Sequence, residues 1–247
     1  MNSKDFIIIA HRGESYDAPE NTMASVNLAW ERNDDAVEID IRLSKDNKII
    51  VIHDKNTFRT SGENFNVKEK NYSFLKKLDV GKHKKNKYAG EEIPLLKNII
   101  ENMPEGKLLF VEIKSGENTA GILKSFCEKK DVNPVYVKFI SFNRQLLDQL
   151  KKLLPHFEMY WIVDDKIPVF KKNLNTIIKY CKSSNLNGVD FDEKMISSKS
   201  VIDKIHEAGL KIYCWTVNNP ERARQLMNWN IDGITSDRAH WLSGQIK

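Results

Sequence analysis

The chain has 247 residues, is 40% hydrophobic and 30% charged, and carries a net charge of +5. That composition suits one large soluble core and excludes a disordered or low-complexity polypeptide. The longest apolar runs, such as residues 6–10, fall well short of the ~20 residues a membrane-spanning helix needs, and no signal peptide is visible, so no stable membrane insertion is expected.

In chain order, the β-branched run at 6–10 predicts a strand that ends on His11-Arg12-Gly13. A helical period follows over 20–32, then a strand over 36–42 carrying Glu38-Ile39-Asp40. The apolar run 49–53 comes too soon after it for a crossover helix, so Lys45-Asp46-Asn47-Lys48 reads as a hairpin turn. A two-residue loop there would pair Lys45 with Lys48 and set Asp40 opposite His53, with Glu38 on the same face. Residues 54–92 then form an insertion at the mouth of the fold. Strands are predicted at 108–114, 135–142, 158–163, 188–191, 211–217 and 233–236. Helices at 95–103, 120–129, 144–153, 198–208 and 220–228 separate them, with Asn118 and Asn143 as N-caps and Pro220 in a first turn. Eight strands alternating with helices predict a TIM (β/α)8 barrel, a single domain over 1–247 with an inserted subdomain at 54–92.

Polar groups cluster at the predicted C-terminal strand ends, where such barrels build their sites. Glu38 and Asp40 alternate with Ile39 and Ile41, and Glu112 repeats the arrangement with Lys114 on its face. Unpaired carboxylates inside a barrel cost several kcal/mol, so a cation is the simplest remedy. Three oxygen donors suit one divalent metal ion, Mg²⁺ or Ca²⁺, better than zinc. His11 and His53 near such an ion fit general acid–base cleavage of a phosphodiester, with Arg12 offering a fork for phosphate oxygens. Trp215 either walls a substrate pocket or fills the barrel. Asn21 either holds a site residue or caps the first helix.

Between residues 54 and 92 there are ten Lys and Arg against six Asp and Glu, densest at 82–87. A solvated loop explains this, as does steering of an anionic substrate. No aromatic–basic interleaving or zinc motif supports nucleic-acid binding. Cys127, Cys181 and Cys214 have no metal-like spacing, which fits free thiols and a cytoplasmic location.

Nine segments in order resemble the glycerophosphodiester phosphodiesterase family. They are His11-Arg12-Gly13, Ala18-Pro19-Glu20-Asn21-Thr22, Val37-Glu38-Ile39-Asp40, His53-Asp54, Ile93-Pro94-Leu95, Val111-Glu112-Ile113-Lys114, Ser141-Phe142-Asn143, Trp215-Thr216-Val217-Asn218 and Asp232-Gly233-Ile234. The resemblance implies a TIM barrel with a small insertion, and an acid–base pair at His11 and His53. It also implies metal ligation by Glu38, Asp40 and Glu112, with Arg12 and Lys114 near the phosphate. The activity implied is hydrolysis of a small glycerophosphodiester to sn-glycerol 3-phosphate and an alcohol. Two alternatives are a lysophospholipase D or C acting on acylated lipid, and a phosphodiester-binding barrel without turnover. The first wants an apolar rim, for which only Phe58, Phe65, Tyr72, Phe74 and Tyr88 speak in a lysine-rich insertion.

Overall fold

A computed structural model of the chain describes residues 6–116, 118–166 and 173–246. The chain begins with β1 (Ile7–His11), α1 (Met23–Glu31), β2 (Ala36–Leu43) and β3 (Ile49–Val51). The insertion holds the short helices α2 (Phe58–Ser61) and α3 (Tyr72–Leu75) before α4 (Leu96–Glu101). Regular alternation follows: β4 (Leu108–Ile113), α5 (Thr119–Lys130), β5 (Val137–Ser141), α6 (Arg144–Leu153), β6 (Glu158–Val163), α7 (Leu174–Ser183), β7 (Gly188–Asp192) and α8 (Lys199–Glu207). The chain closes with β8 (Lys211–Trp215), α9 (Pro220–Asn228), β9 (Gly233–Ser236) and α10 (Ala239–Ile246).

Strand order is β1-β9-β8-β7-β6-β5-β4-β2, and β1 also pairs with β2, so the parallel sheet closes on itself. β3 lies outside this ring, antiparallel to β2. The expected eight-stranded barrel is therefore the fold, with its right-handed crossovers supplied by the helices.

Alternation along each strand divides the apolar side chains into two layers. Outward residues such as Val37, Ile39, Val111, Phe139 and Ile234 pack under the helices. Inward residues Ile9, Phe110, Ile140, Tyr160, Ile162 and Tyr213 fill the barrel, with Tyr160 and Tyr213 edge to face at 5.0 Å. Below them Lys138 closes the floor, its Nζ 2.5 Å from Glu158 Oε2. A third cluster, built from Ile50, Ile52, Val67, Leu75, Leu78, Val80 and Ile93, anchors the insertion on the hairpin. All three cysteines are free and buried.

Local chemistry explains where the observed elements depart from expectation. α1 starts at Met23, not residue 20, because Asn21 takes a left-handed φ of 58° and Thr22 caps the helix in a reciprocal pair with Ser25. Asn143 caps α6 as expected, whereas Asn118 adopts φ 60° and caps α5 without a side-chain bond. The hairpin register is one residue off the expected one. Ser44 N–H donates to Lys48 O, leaving a three-residue loop in which Asn47 takes the left-handed conformation. Ile41 consequently pairs with Val51, and Asp40 faces Ile52 rather than His53.

Gly13 (φ 77°) lets the turn after β1 press against α1, where an added Cβ would lie 2.5 Å from the Ser25 carbonyl carbon. Gly13→Ala is therefore expected to cost ~2 kcal/mol, from positive-φ strain plus overpacking. Calorimetry should show Tm lowered by several degrees; an unchanged Tm would contradict this account.

Candidate active site

Strand registers bring the polar ends together. His11 is level with Glu38 across β1 and β2, and Asp40 is level with Glu112 across β2 and β4. Glu38, Asp40 and Glu112 are buried, and each offers a carboxylate oxygen within 4.8 Å of the other two.

Two side-chain cations thread these acids. Arg12, with a left-handed φ of 56°, turns back over the mouth. Its Nε lies 3.1 Å from Asp40 Oδ2, its Nη1 donates to Glu20 Oε1 (2.9 Å), and its backbone N–H donates to Glu38 Oε2 (3.0 Å). Lys114 Nζ sits 2.6 Å from Glu112 Oε1 and 3.2 Å from Asp40 Oδ1. Asn21 Nδ2 donates to Asp40 Oδ2 (2.8 Å), while its Oδ1 accepts from Asp40 N–H (3.0 Å). Asn21 thus holds a site residue and leaves the capping to Thr22.

The three acids are not equivalent. Burial would raise Asp40, but Lys114 and Arg12 outweigh it and hold the carboxyl down to about 2. Burial and then the neighbouring Asp40 push Glu112 up to about 7. The same causes, joined by Glu112, carry Glu38 well above the ordinary carboxylate range. Glu38 Oε1 is buried without a hydrogen-bond partner. Two cations serve three acids and Glu38 is left over, so this all-oxygen donor set fits a hard divalent cation.

Each imidazole is oriented by its own carboxylate. His11 Nδ1 lies 2.6 Å from Asp237 Oδ1 and His53 Nδ1 lies 2.6 Å from Asp54 Oδ1. An ionised carboxylate only accepts, so both Nδ1 atoms carry hydrogen and both Nε2 atoms are left for chemistry. His11 Nε2 is 4.0 Å from Glu38 Oε2. Asp237 accepts from Asn218 Nδ2 (2.7 Å), and Asn218 Oδ1 accepts from the Asp237 N–H (3.0 Å) and the Ser236 hydroxyl (2.9 Å). Asp54 Oδ2 accepts from Arg59 Nε at 2.7 Å, and Arg59 also grips Glu20, the partner of Arg12. Burial lowers the His53 pKa even though Asp40 pulls the other way.

A cavity of about 240 Å³ opens between the two imidazoles, bordered also by Trp215, Phe142, Asp190 and Thr235. Trp215 stands edge to face with Phe142 at 5.8 Å, and its Nε1 has no partner. A larger groove of about 940 Å³ lies between α5 and α6, but Lys152 is the one charged residue among the described ones that line it, so it does not compete as a site of chemistry. Every residue singled out from the sequence borders the 240 Å³ cavity or touches a group that does. Sequence reasoning missed the orienting roles of Asp237 and Asp54, the Glu20–Arg59 brace, and Asp190. Asp54 was within reach, since it follows His53 directly. Asp190 sits inward at alternate spacing on β7, the same signal that marked Glu38 and Asp40.

Two imidazole–carboxylate pairs facing a buried acid cluster at the C-terminal mouth of a TIM barrel make up a site of the kind that phosphodiester hydrolases use. The Glycerophosphoryl diester phosphodiesterase family matches residues 11–240, and the chain belongs to that family as an enzyme of its class. A glycerophosphodiester phosphodiesterase of Caldanaerobacter subterraneus subsp. tengcongensis is 31% identical over 241 residues, covering 94% of this chain and 93% of its own. An Oleispira antarctica phosphodiesterase, solved with the product sn-glycerol-3-phosphate, superposes with a TM-score of 0.85 at 27% identity, covering 97% and 96% of the two chains. A Rattus norvegicus lysophospholipase D is 24% identical over 261 residues, covering 93% of this chain and 82% of its own. Among the described residues no helix is long and apolar enough to cross a membrane.

Proposed function

We propose that the chain hydrolyses small glycerophosphodiesters to sn-glycerol 3-phosphate and an alcohol by acid–base catalysis between His11 and His53. The observation that carries this reading is the pair of carboxylate-oriented imidazoles on either side of one cavity. Glu38, Asp40 and Glu112 would hold a divalent ion, Mg²⁺ or Ca²⁺. When bound, that ion supplies positive charge for the phosphoryl oxygens.

The chain's own groups do the rest. His53, kept neutral by burial, accepts the proton of the attacking oxygen through Nε2, and Asp54 steadies the imidazolium that results. His11 Nε2, in its protonated form, donates to the departing alkoxide, with Asp237 fixing the ring. Arg12 and Lys114 face the charge that develops on the phosphate and add fixed donors to it. The test is direct: purified protein with added Mg²⁺ or Ca²⁺ is given glycerophosphocholine, glycerophosphoethanolamine and glycerophosphoglycerol. The products should be sn-glycerol 3-phosphate and the free alcohol. Choline phosphate as product would place the cut on the wrong ester bond. Faster turnover of lysophosphatidylcholine vesicles than of glycerophosphocholine would favour the lysophospholipase alternative, with exposed Phe58 as part of its rim.

Trp215 borders the cavity beside Phe142. Trp215→Ala is expected to raise KM or shift head-group preference more than it lowers kcat on the best substrate. Unchanged kinetics on every diester, or loss of folding, would make Trp215 a core residue instead.

A further inference from the structure

A second concavity adjoins the cavity just described. It measures about 650 Å³ and lies between the β2–β3 hairpin, the insertion and the residues after β4. Arg42, Lys45, Lys55, Lys68 and Lys114 line it, and none of the described lining residues is acidic. Lys114 borders both spaces.

Lys114 is held by Glu112 and Asp40, but three of the other cations are not spoken for. Lys45, Lys55 and Lys68 are exposed, and no ion pair joins any of them to an acid among the described residues. Arg42 is half-buried and braced, its Nε donating to His53 O (2.8 Å) and its Nη1 to Lys114 O (3.4 Å). That leaves Nη2 of a positioned guanidinium. Two acids that neighbour the groove along the chain are engaged elsewhere: Asp46 accepts from the Ser44 hydroxyl and Tyr72 N–H, and Glu69 from Asn66 Nδ2. By contrast the dense run at 82–87 lies elsewhere, with Lys84 Nζ donating to Ser15 O (2.7 Å).

We propose that this basic groove beside Lys114 binds a second phosphate carried by the alcohol half of the substrate, making doubly phosphorylated glycerophosphodiesters the preferred substrate class. The inference rests on the hydrolysis proposed above. Several cations converging in one concavity raise the local concentration of an anion and favour a dianionic over a monoanionic ligand, more so at low salt. Arg42, with its planar fork, adds a preference for phosphate geometry.

The test compares two substrates that differ by one distal, anionic glycerophosphoryl group, 1,3-bis(glycerophospho)glycerol and glycerophosphoglycerol. At low ionic strength kcat/KM for the first should exceed that for the second by ~10-fold, mainly through KM, and added salt should erode the difference. The triple variant Lys45→Glu, Lys55→Glu, Lys68→Glu should bring the ratio to near one while leaving glycerophosphoglycerol within about twofold of the parent. Its far-ultraviolet spectrum and Tm should match the parent's, since all three side chains are exposed. Equal kcat/KM for the two substrates in the parent enzyme, or a ratio untouched by the triple variant, would overturn the proposal. So would a preference for glycerophosphoserine over glycerophosphoethanolamine without one for the bisphosphate, since that would assign the groove to a carboxylate. If neither glycerol diester is cleaved, the hydrolysis reading fails. Calorimetric binding of the bisphosphate, present in the parent and absent in the triple variant, then decides the groove by itself.

Discussion

His11→Ala and His53→Ala are each expected to lose ~10²–10⁴-fold in kcat while keeping the parent's Tm and divalent-metal affinity. Both rings are pinned at Nδ1 and leave Nε2 at the cavity, so truncation removes the proton-handling atom without disturbing the barrel core. The double variant should be no worse than about the poorer single one, because both protons move in one reaction. A diester with a nitrophenyl leaving group needs little protonation of its departing oxygen. It should restore the His11 variant and leave the His53 variant slow. The pH profile adds a further check. Burial lowers the His53 pKa, so the acid limb of kcat/KM should fall below the ordinary imidazole value of ~6.5. Near-parent rates in both alanine variants would remove acid–base catalysis from the account.

The second large effect concerns the acid cluster. Chelation should abolish hydrolysis, and a hard divalent cation should restore it. Stability provides a readout independent of turnover. Glu112 is raised to about 7 and Glu38 is raised well above the ordinary carboxylate range, both by burial first and then by Asp40. Without a cation the folded protein therefore binds more protons than the unfolded chain above the usual carboxylate range. The stability these two acids contribute is fully present below that range and is lost as pH rises through 7, while Asp40, held down to about 2, acts in the opposite sense at low pH. Adding Mg²⁺ or Ca²⁺ at pH 7.5 should raise Tm, by an amount equivalent to ~2.7 kcal/mol at a hundred times Kd. Glu38→Gln should remove the rise while stabilising the metal-free protein, because it deletes the acid that neither Arg12 nor Lys114 pairs. A Tm indifferent to both cations would contradict metal binding at these three residues.

How far the sequence carried these conclusions depended on whether the relevant neighbours were close along the chain. Strand alternation put Glu38, Asp40 and Glu112 on the face opposite their apolar neighbours, and the covering of both faces of a parallel barrel strand favoured the inward side for them. The hairpin was legible but its register was not, because a two-residue loop and a three-residue loop with Asn47 at positive φ read alike. The slip moved Asp40 from His53 to Ile52, yet His53 reaches the site because it lies beyond the end of β3. Helix ends followed capping chemistry, and the largest error at a helix start, 20 rather than Met23, came from not seeing that Asn21 is used on Asp40. Asp237 could not be read as the partner of His11, for 226 residues separate them and only the pairing of β1 with β9 makes them neighbours. The charged floor at Lys138 and Glu158 was likewise hidden, since a charged residue near the start of a strand carries no signature that it faces inward.

That closure has a consequence for how the enzyme comes into being. The ring is joined by its first and last strands, and α10 then packs on β1 while His240 N–H donates to Glu14. A nascent chain emerging from the ribosome presents His11, Glu38, Asp40, His53 and Glu112 long before residue 237 is made. Until β9 arrives, His11 has no acceptor for its Nδ1 hydrogen and β1 has one open edge. Chains stalled or cut before that point carry nearly all the reactive groups and cannot assemble them, so synthesis delivers activity only with the finished barrel.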